Sequence, residues 1–438
     1  MYFLIRRIKR IFGLLPPEEG KTVLNNFASL SVVQAITYIL PVIMIPYLFR
    51  VIGPEKFGLI AFAQALMQYF MILTDYGFSI SATREISLCR EDHCEISRIF
   101  SAVMTVKLAF AFLSLILLGI VVFFIPRFRV NWAVYILSFG TVVGNTLFPV
   151  WFFQGIEKMK HIAYLNIIGG FLMLLAIFTF VHRAEDYLWV PAITSCVFLI
   201  TGLWALRVVF DKFGVSFKFP GYTNLRQQLR VGWDIFISNV AINAYTATRV
   251  FVVGLLTNNA ITGFYAIAER IANAVQTFPL LSFSQALFPR LSRIFSKNKA
   301  LAFELMRQIQ QVTVTIYLVC LSLTFILAPW IVRVFCGGEY FSTVLSLRLL
   351  LVSVFFVCAN AFRVQFLLVC GKTDIYSRIH VFMSMVGLPL IFLLVFSFGF
   401  RGAAIASVVI EAGIFLNTYF SFRRLKFPPP ILPLLGKP

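Results

Sequence analysis

Two arginines lie deep inside apolar segments of this chain. Arg249 falls within the apolar run 233–256, and Arg270 falls within the run 262–288. Each run is long enough to cross a bilayer, which takes about 20 residues for a hydrocarbon core of about 30 Å. A guanidinium at that depth is costly and keeps its charge, so it usually faces a polar cavity in which it meets an anion. The two arginines therefore predict an anion-binding pathway inside a membrane.

The composition is typical of a membrane protein. Hydrophobic residues make up 60% of the chain and charged residues 13%, whereas soluble domains are roughly 45–50% apolar and about 25% charged. The 38 Lys and Arg outnumber the 18 Asp and Glu, which in a soluble protein would indicate nucleic-acid binding. Here the basic residues fall between the apolar runs, so no nucleic-acid partner is expected.

Twelve apolar runs are predicted to span the membrane as helices. They are residues 28–49, 57–78, 99–125, 132–154, 161–181, 187–209, 233–256, 262–288, 309–334, 344–369, 378–398 and 401–422. Most of the remaining Lys and Arg cluster in alternate connections and in both termini. By the positive-inside rule, this asymmetry predicts that both termini are cytoplasmic.

A weak internal repeat predicts two halves of six spans each. Gly58, Ala61 and Ala63 match Gly263, Ala266 and Ala268 at the start of spans two and eight. Six spans per half keep both halves in one orientation. The predicted organisation is an interfacial amphipathic segment 1–21, an N-terminal lobe 22–209, a cytoplasmic connection 210–232, a C-terminal lobe 233–422 and a cytoplasmic tail 423–438.

Polar side chains at helical spacing mark one face of four spans. They are Gln34 and Tyr38 in span one, Gln64, Gln68 and Asp75 in span two, Asn239, Asn243, Thr246 and Arg249 in span seven, and Glu269, Asn273 and Gln276 in span eight. Such faces are expected to line a central pathway and to bind substrate. The alternative is that they form ordinary hydrogen bonds between packed membrane helices.

The cations inside the spans predict two stages of anion passage. Lys107 and Arg363 lie deeper toward the cytoplasm and are candidates for first capture. Arg249 and Arg270 lie in the outer part of the membrane and are candidates for a later stage. Two alternatives stay open, because Arg249 could extend to the outer interface and Arg270 could form a structural pair with Glu269.

Acidic residues within the spans are candidates for coupling to an ion gradient. Glu411 lies mid-span with no adjacent charge in its own helix. A carboxyl group buried in this way can bind and release a proton. Glu411, Glu269 and Asp75 are therefore the predicted ion-coupling residues.

No cofactor or metal site is predicted. Cys89 and Cys94 share a loop with His93, but their spacing fits no zinc pattern. Gly371-Lys372-Thr373 ends like a phosphate-binding loop, but Phe366 stands where that motif requires glycine. The chain is not expected to be an enzyme, because no connection on the outer side is long enough for a folded domain.

The stretch Pro46–Ser87 resembles the N-terminal signature of the polysaccharide repeat-unit flippases called Wzx. The similarity includes residues 50–58, 75–77 and 82–85, and weaker similarity extends to Trp151–Met159, 263–289 and 399–411. Those flippases belong to the same transporter superfamily as the MATE multidrug exporters and the lipid II flippase MurJ. The resemblance covers nearly the whole chain in the expected order.

The resemblance implies an all-α polytopic membrane protein with twelve transmembrane helices in two six-helix lobes, arranged as a V around a central cavity. It implies a bacterial inner-membrane protein that moves undecaprenyl-pyrophosphate-linked oligosaccharide repeats between leaflets. H⁺ or Na⁺ coupling is implied, and contact with a polysaccharide polymerase and a chain-length regulator is a further expectation. Arg50, Asp75 and Arg84 match the family motif and are expected near the gates of the lobes, with Arg50 also a candidate for substrate binding.

Two rival functions remain. A MATE-like exporter of drugs or cations would need an acid-dominated pathway, whereas basic residues slightly outnumber acidic ones within the predicted spans. A polysaccharide polymerase of the same pathway would need a sizeable outside loop, which the sequence does not contain.

Overall fold

A computed structural model describes residues 17–277, 299–338, 340–370 and 372–425. Within these ranges, side chains are described from Leu40 onward, except at residues 299–302, 305, 306, 309, 368, 369 and 373. Helices form the described part of the chain, apart from short turns. They are α1 (Pro17–Asp75), α2 (Phe78–Leu88), α3 (His93–Phe124), α4 (Pro126–Arg129), α5 (Trp132–Leu147), α6 (Val150–Gly155), α7 (Lys160–Phe180), a 3₁₀ turn (Ala184–Leu188), α8 (Trp189–Phe213), α9 (Tyr222–Thr246), α10 (Thr248–Leu256), α11 (259–277), α12 (Lys299–Cys336), α13 (Phe341–Val369), α14 (Thr373–Phe398) and α15 (Phe400–Arg424). Most of the interfacial segment 1–21 and of the tail 423–438 falls outside the described residues, so both stay predictions.

The helices carry the apolar outer faces that lipid requires. On α3, the exposed side chains include Leu108, Phe112, Ile116, Ile120 and Phe123. Their spacing of three or four residues places them along one side of the helix. An exposed apolar stripe of this length would be unstable in water but is the ordinary surface of a helix in a bilayer.

Each predicted span falls on a helix, although span eight is described only to residue 277. Nine of the described helical stretches are long and apolar enough to cross a membrane, or ten if the bent pair α9–α10 is one span. One of them, Leu40–Leu88, has 49 residues, which would rise about 74 Å at 1.5 Å per residue. The chain is thus a multi-pass membrane protein, and the count of twelve stays a prediction.

Breaks in the helices coincide with residues that cannot continue them. Gly53 interrupts α1 with φ 77° and ψ 165°, a combination that glycine adopts without the strain of a side chain. Pro149 separates α5 from α6. Proline has no amide hydrogen to donate to a carbonyl of the preceding helical turn. Predicted spans one and two therefore meet at Gly53, and predicted span four consists of two helical pieces.

Contacts group the chain into two compact units, residues 40–263 and residues 264–438 together with 1–39. The first unit has an aromatic core in which Phe100, Trp151, Phe152 and Phe153 are each at most 1% exposed. Helix α9 begins at Tyr222, within the segment 210–232 that was predicted as a connection. The division into lobes at that connection stays a prediction.

Two glycines of the predicted repeat pack against each other in the first unit. A Cβ atom on Gly58 would overlap the carbonyl oxygen of Asn259 and lie 2.6 Å from the backbone nitrogen of Gly263. A Cβ atom on Gly263 would in turn overlap the carbonyl oxygen of Pro54. The repeat therefore places glycines at a close approach of the α1 and α11 backbones.

Candidate functional site

The best-defined polar site lies where α1 ends. Asp75 is the last residue of α1, and Tyr76 and Gly77 then adopt positive φ values of 45° and 82° before α2 begins. A positive φ is strained for a residue as large as tyrosine. Its ring stacks on Phe236 of α9 with centroids 4.7 Å apart, so packing holds the turn in place.

Asp75 meets a buried cation at this turn. The Lys107 ammonium nitrogen on α3 lies 3.9 Å from Asp75 Oδ1, and the Ser79 hydroxyl donates a hydrogen bond of 2.9 Å to Asp75 Oδ2. The Lys107 side chain is 3% exposed, whereas that of Asp75 is 28% exposed. An ammonium that is almost fully buried needs a nearby negative charge. Asp75 supplies that charge and also remains accessible.

This pairing was missed in the sequence analysis, which placed Lys107 in substrate binding and Asp75 in ion coupling. The sequence did contain one indication of the pairing. Both residues lie at a similar depth in the membrane, in the cytoplasmic parts of neighbouring predicted spans. A distance of 3.9 Å is at the upper limit of direct ion pairing. The contact is therefore a long ion pair between a buried ammonium and a partly exposed carboxylate.

Arg249 lies on a short helix that is fixed at both ends. Its helix, α10, begins at Thr248, whose hydroxyl accepts a hydrogen bond of 2.7 Å from the Tyr69 hydroxyl of α1. At the other end, the Arg127 guanidinium donates to the carbonyls of Gly254, Leu255 and Thr257. A cation at this position also interacts favourably with the negative, C-terminal end of the α10 dipole.

One predicted polar stripe crosses a bend in the helix. The arc through Asn239, Asn243, Thr246 and Arg249 assumed one continuous helix, but the axis bends by 47° between α9 and α10. The Thr246 hydroxyl donates to the carbonyl of Ile242 one turn earlier, a contact that favours helix bending. Asn239 and Asn243 remain one turn apart on α9. Arg249 lies beyond the bend, so its direction relative to them does not follow from helical spacing.

In the second unit, Arg363 is enclosed by aromatic rings. It lies on α13, is 1% exposed, and its guanidinium carbon lies 4.5 Å from the Phe415 ring centroid and 5.7 Å from that of Tyr419 on α15. Its Nε and Nη1 atoms have no hydrogen-bond partner among the described residues. Glu411 precedes Phe415 by one turn on the same helix and is half-buried. Binding of an external anion at Arg363 therefore requires the aromatic enclosure to open.

The remaining candidates differ in exposure. Gln68, Asn273, Arg50 and Arg84 are exposed, whereas Gln64, Asn239, Asn243, Glu269 and Arg270 are intermediate between buried and exposed. The Asn243 side-chain amide donates to the Asn239 carbonyl at 2.8 Å, a contact within one helix. Direct contacts thus join Asp75 to Lys107 and Asn239 to Asn243. The functional role of every candidate stays a prediction.

Comparison with known proteins supports this architecture. The sequence pattern of the family described as "Polysaccharide biosynthesis protein" matches residues 23–295. A protein of Escherichia coli strain K12 that is named an O-antigen transporter is 31% identical over 397 residues, covering 88% of this chain and 93% of that protein.

Two solved structures share the fold. An inward-facing MATE family multidrug resistance transporter is 14% identical, with a TM-score of 0.72, and the alignment covers 90% of this chain and 99% of that one. The lipid II flippase MurJ in an inward closed conformation is 16% identical, with a TM-score of 0.69, covering 91% and 87%. The predicted all-α, MATE-like and MurJ-like fold is confirmed. The chain belongs to the polysaccharide biosynthesis protein family, as the resemblance of residues 46–87 predicted.

Proposed function

We propose that this protein is a flippase for undecaprenyl-pyrophosphate-linked oligosaccharide repeat units of an O-antigen or a similar polysaccharide. It moves them from the cytoplasmic to the periplasmic leaflet of the bacterial inner membrane by alternating access. The observation that carries the proposal is the similarity to a protein named an O-antigen transporter over nearly the whole length of both chains. Transport moves a substrate without changing its bonds, so the proposed activity needs no catalytic group.

The charges inside the membrane support passage of a pyrophosphate. A multiply charged anion cannot cross about 30 Å of hydrocarbon without compensating cations. Lys107 is buried, and its partner Asp75 is held only at 3.9 Å. We infer that pyrophosphate competes with Asp75 for Lys107 at the first stage. Arg249 and Arg270 then hold the anion at a later stage, with Arg363 as a further site for capture.

The same pair offers a route to ion coupling. A proton or Na⁺ on Asp75 neutralises its charge and frees Lys107 to bind the pyrophosphate. Loss of that ion restores the attraction between the two side chains and favours release. Glu269 and Glu411 are further candidates for this role, since both lie within apolar spans.

A deletion strain provides the test in cells. Lipid-linked single repeats should accumulate on the inner leaflet, and the wild-type gene should restore polymer at the surface. Lys107→Met, Arg249→Ala and Arg270→Ala should each restore less polymer at equal protein levels. Arg348→Ala is the matched control, because Arg348 donates to the Phe325 carbonyl and lies over that ring. If the Arg249 and Arg270 variants both restore polymer fully, their anion-binding role is wrong.

The same strain separates the rival functions. Single repeats that reach the outer face without being polymerised would indicate a polymerase. Normal polymer together with increased sensitivity to cationic drugs would indicate an exporter. The fold is shared with a MATE multidrug transporter at only 14% identity, which does not by itself favour drug export.

A further inference from the structure

A cavity with a mainly apolar surface and several polar side chains lies in the first compact unit, and its lining includes neither Asp75 nor Lys107. It has a volume of about 250 Å³ and opens between the C-terminal half of α2, the first turns of α3 and the first turns of α9. Its polar walls come from Glu85, Glu95, Arg98, Asn224 and Gln228. These helix ends are the ones predicted to face the cytoplasm, the side from which a lipid-linked substrate would arrive.

Gln228 is the residue that marks this cavity as a binding site. The residue is 4% exposed, and its Nε2 donates a hydrogen bond of 2.6 Å to Glu85 Oε2. Because a carboxylate can only accept, this contact fixes which end of the amide is nitrogen. The other end, Oε1, is buried and has no hydrogen-bond partner among the described residues. A buried acceptor without a donor is costly, so this atom calls for a ligand or water that donates a hydrogen bond.

The charges around the cavity select against an anion. Glu85 and Glu95 are acidic, and Arg98 is already paired with Glu95. Burial, followed by the negative charges of Glu95, Asp92 and Glu85, raises the pKa of the Cys89 thiol at the cavity wall. Two carboxylates against one guanidinium give the cavity lining a net negative charge, which disfavours a phosphate or pyrophosphate group.

The shape and the remaining wall favour a sugar ring. Leu88, Ile99 and Ala102 contribute apolar surface to the same lining as the acceptor groups. A sugar ring has hydroxyl donors around its edge and an apolar C–H face, so both kinds of wall can be used. The volume is somewhat below the roughly 300–1,000 Å³ of pockets for larger ligands. Among the described residues, no group of three metal-ligating side chains is present, and the space is too large for a bare ion.

We propose that this cavity, which we call the Gln228 pocket, binds one neutral sugar unit of the lipid-linked glycan through its hydroxyl groups before translocation. The proposal rests on the proposed flippase function. It assigns recognition of the sugar and compensation of the pyrophosphate to different places in the chain. Glu85 and Gln228 act as acceptors for the hydroxyls, and the pocket contributes to the choice of repeat unit.

Protection of Cys89 from alkylation tests the proposal on the purified full-length protein. The probe is the free oligosaccharide, released from its lipid by mild acid so that it carries no pyrophosphate. N-ethylmaleimide labelling of each cysteine is followed by mass spectrometry, with the exposed Cys94 as an internal reference. At about ten times its Kd, the free glycan should slow Cys89 labelling about tenfold and leave Cys94 unchanged. Inorganic pyrophosphate should protect neither cysteine.

Variants separate binding in the pocket from effects on folding. Glu85→Gln and Gln228→Met should abolish the protection. Glu157→Gln should retain it, because Glu157 is exposed and pairs with Arg90 outside the pocket. Asn224→Leu is a second variant at a half-buried wall position and should weaken protection even if Gln228→Met fails to fold.

Three results would overturn the proposal. They are no protection by the free glycan, equal protection of Cys89 and Cys94, and protection by pyrophosphate. If any of these occurs while the lipid-linked substrate is still flipped in vesicles, the pocket assignment fails and the proposed function stands. If the glycan protects Cys89 but no lipid-linked substrate is flipped, the binding site stands and the proposed function fails.

Discussion

Replacing Asp75 by Asn should destabilise the protein more than replacing Lys107 by Met, although the two side chains form one ion pair. The reason is the difference in their burial, since the Lys107 side chain is 3% exposed and that of Asp75 is 28% exposed. Asp75→Asn leaves a charged ammonium in an apolar core. Lys107→Met leaves a carboxylate that water can reach and that still accepts the hydrogen bond from Ser79.

The size of the effect follows from the geometry. Two unit charges 3.9 Å apart attract by about 4 kcal/mol at an effective dielectric constant of about 20. Allowing for partial hydration of Asp75, Asp75→Asn should cost about 2–3 kcal/mol and Lys107→Met about 1 kcal/mol. The double variant should cost no more than Lys107→Met, because no unpaired buried charge remains.

Thermal unfolding in detergent measures these differences. With an unfolding entropy of about 2.1 cal/mol/K per residue, a protein of this size loses about 1 °C in Tm per kcal/mol. Asp211→Asn is the control, because the Arg207–Asp211 pair is closer, at 3.2 Å, but is 81% and 64% exposed. That control should shift the Tm by less than about 0.5 °C. Equal losses for Asp75→Asn and Lys107→Met that add in the double variant would refute the reasoning.

Three further outcomes are expected. Gly58→Ala should lower the free energy of unfolding by about 1–3 kcal/mol, because there is no room for a Cβ atom at this position. Gly119→Ala, whose Cβ would meet nothing within 4 Å, should raise it by about 0.5–1 kcal/mol. Unfolding in detergent measures both changes, and equal effects would contradict the packing. Cys89 should react with maleimide more slowly than the exposed Cys94, and its rate should rise with pH as the thiol with the raised pKa ionises; equal rates at pH 7 would contradict this. Arg363→Met should leave stability unchanged or increase it, since two guanidinium nitrogens lack hydrogen-bond partners among the described residues. The same variant should reduce transport. A large fall in Tm would show instead that the arginine stabilises the fold.

The positions of the helices could be predicted from the sequence because a membrane span is set by local composition. Twenty apolar residues form a helix in lipid whatever their tertiary neighbours are, and the predicted runs fall on helices wherever the structure describes them. The pattern in residues 46–87 also led to the correct family, because it depends on residue types in order along the chain.

The site could not be predicted as well, because it depends on contacts between distant residues and on small backbone breaks. The 47° bend between α9 and α10 has no proline or glycine at the break to announce it. The enclosure of Arg363 by Phe415 and Tyr419 joins two helices that are far apart in the chain. The Asp75–Lys107 contact depends on how α1 and α3 pack, and spacing along one helix cannot give it.

Translocation by the purified protein in vesicles tests the central claim most directly. Lipid-linked oligosaccharide is placed in one leaflet, an ion gradient is imposed, and the glycan exposed on the other side is measured with a lectin or a membrane-impermeant hydrolase. We expect transfer that depends on the protein, that Lys107→Met reduces strongly, and that Asp211→Asn leaves unchanged. Transfer no faster than in protein-free vesicles, or transfer of a cationic dye in place of the glycan, would contradict the account.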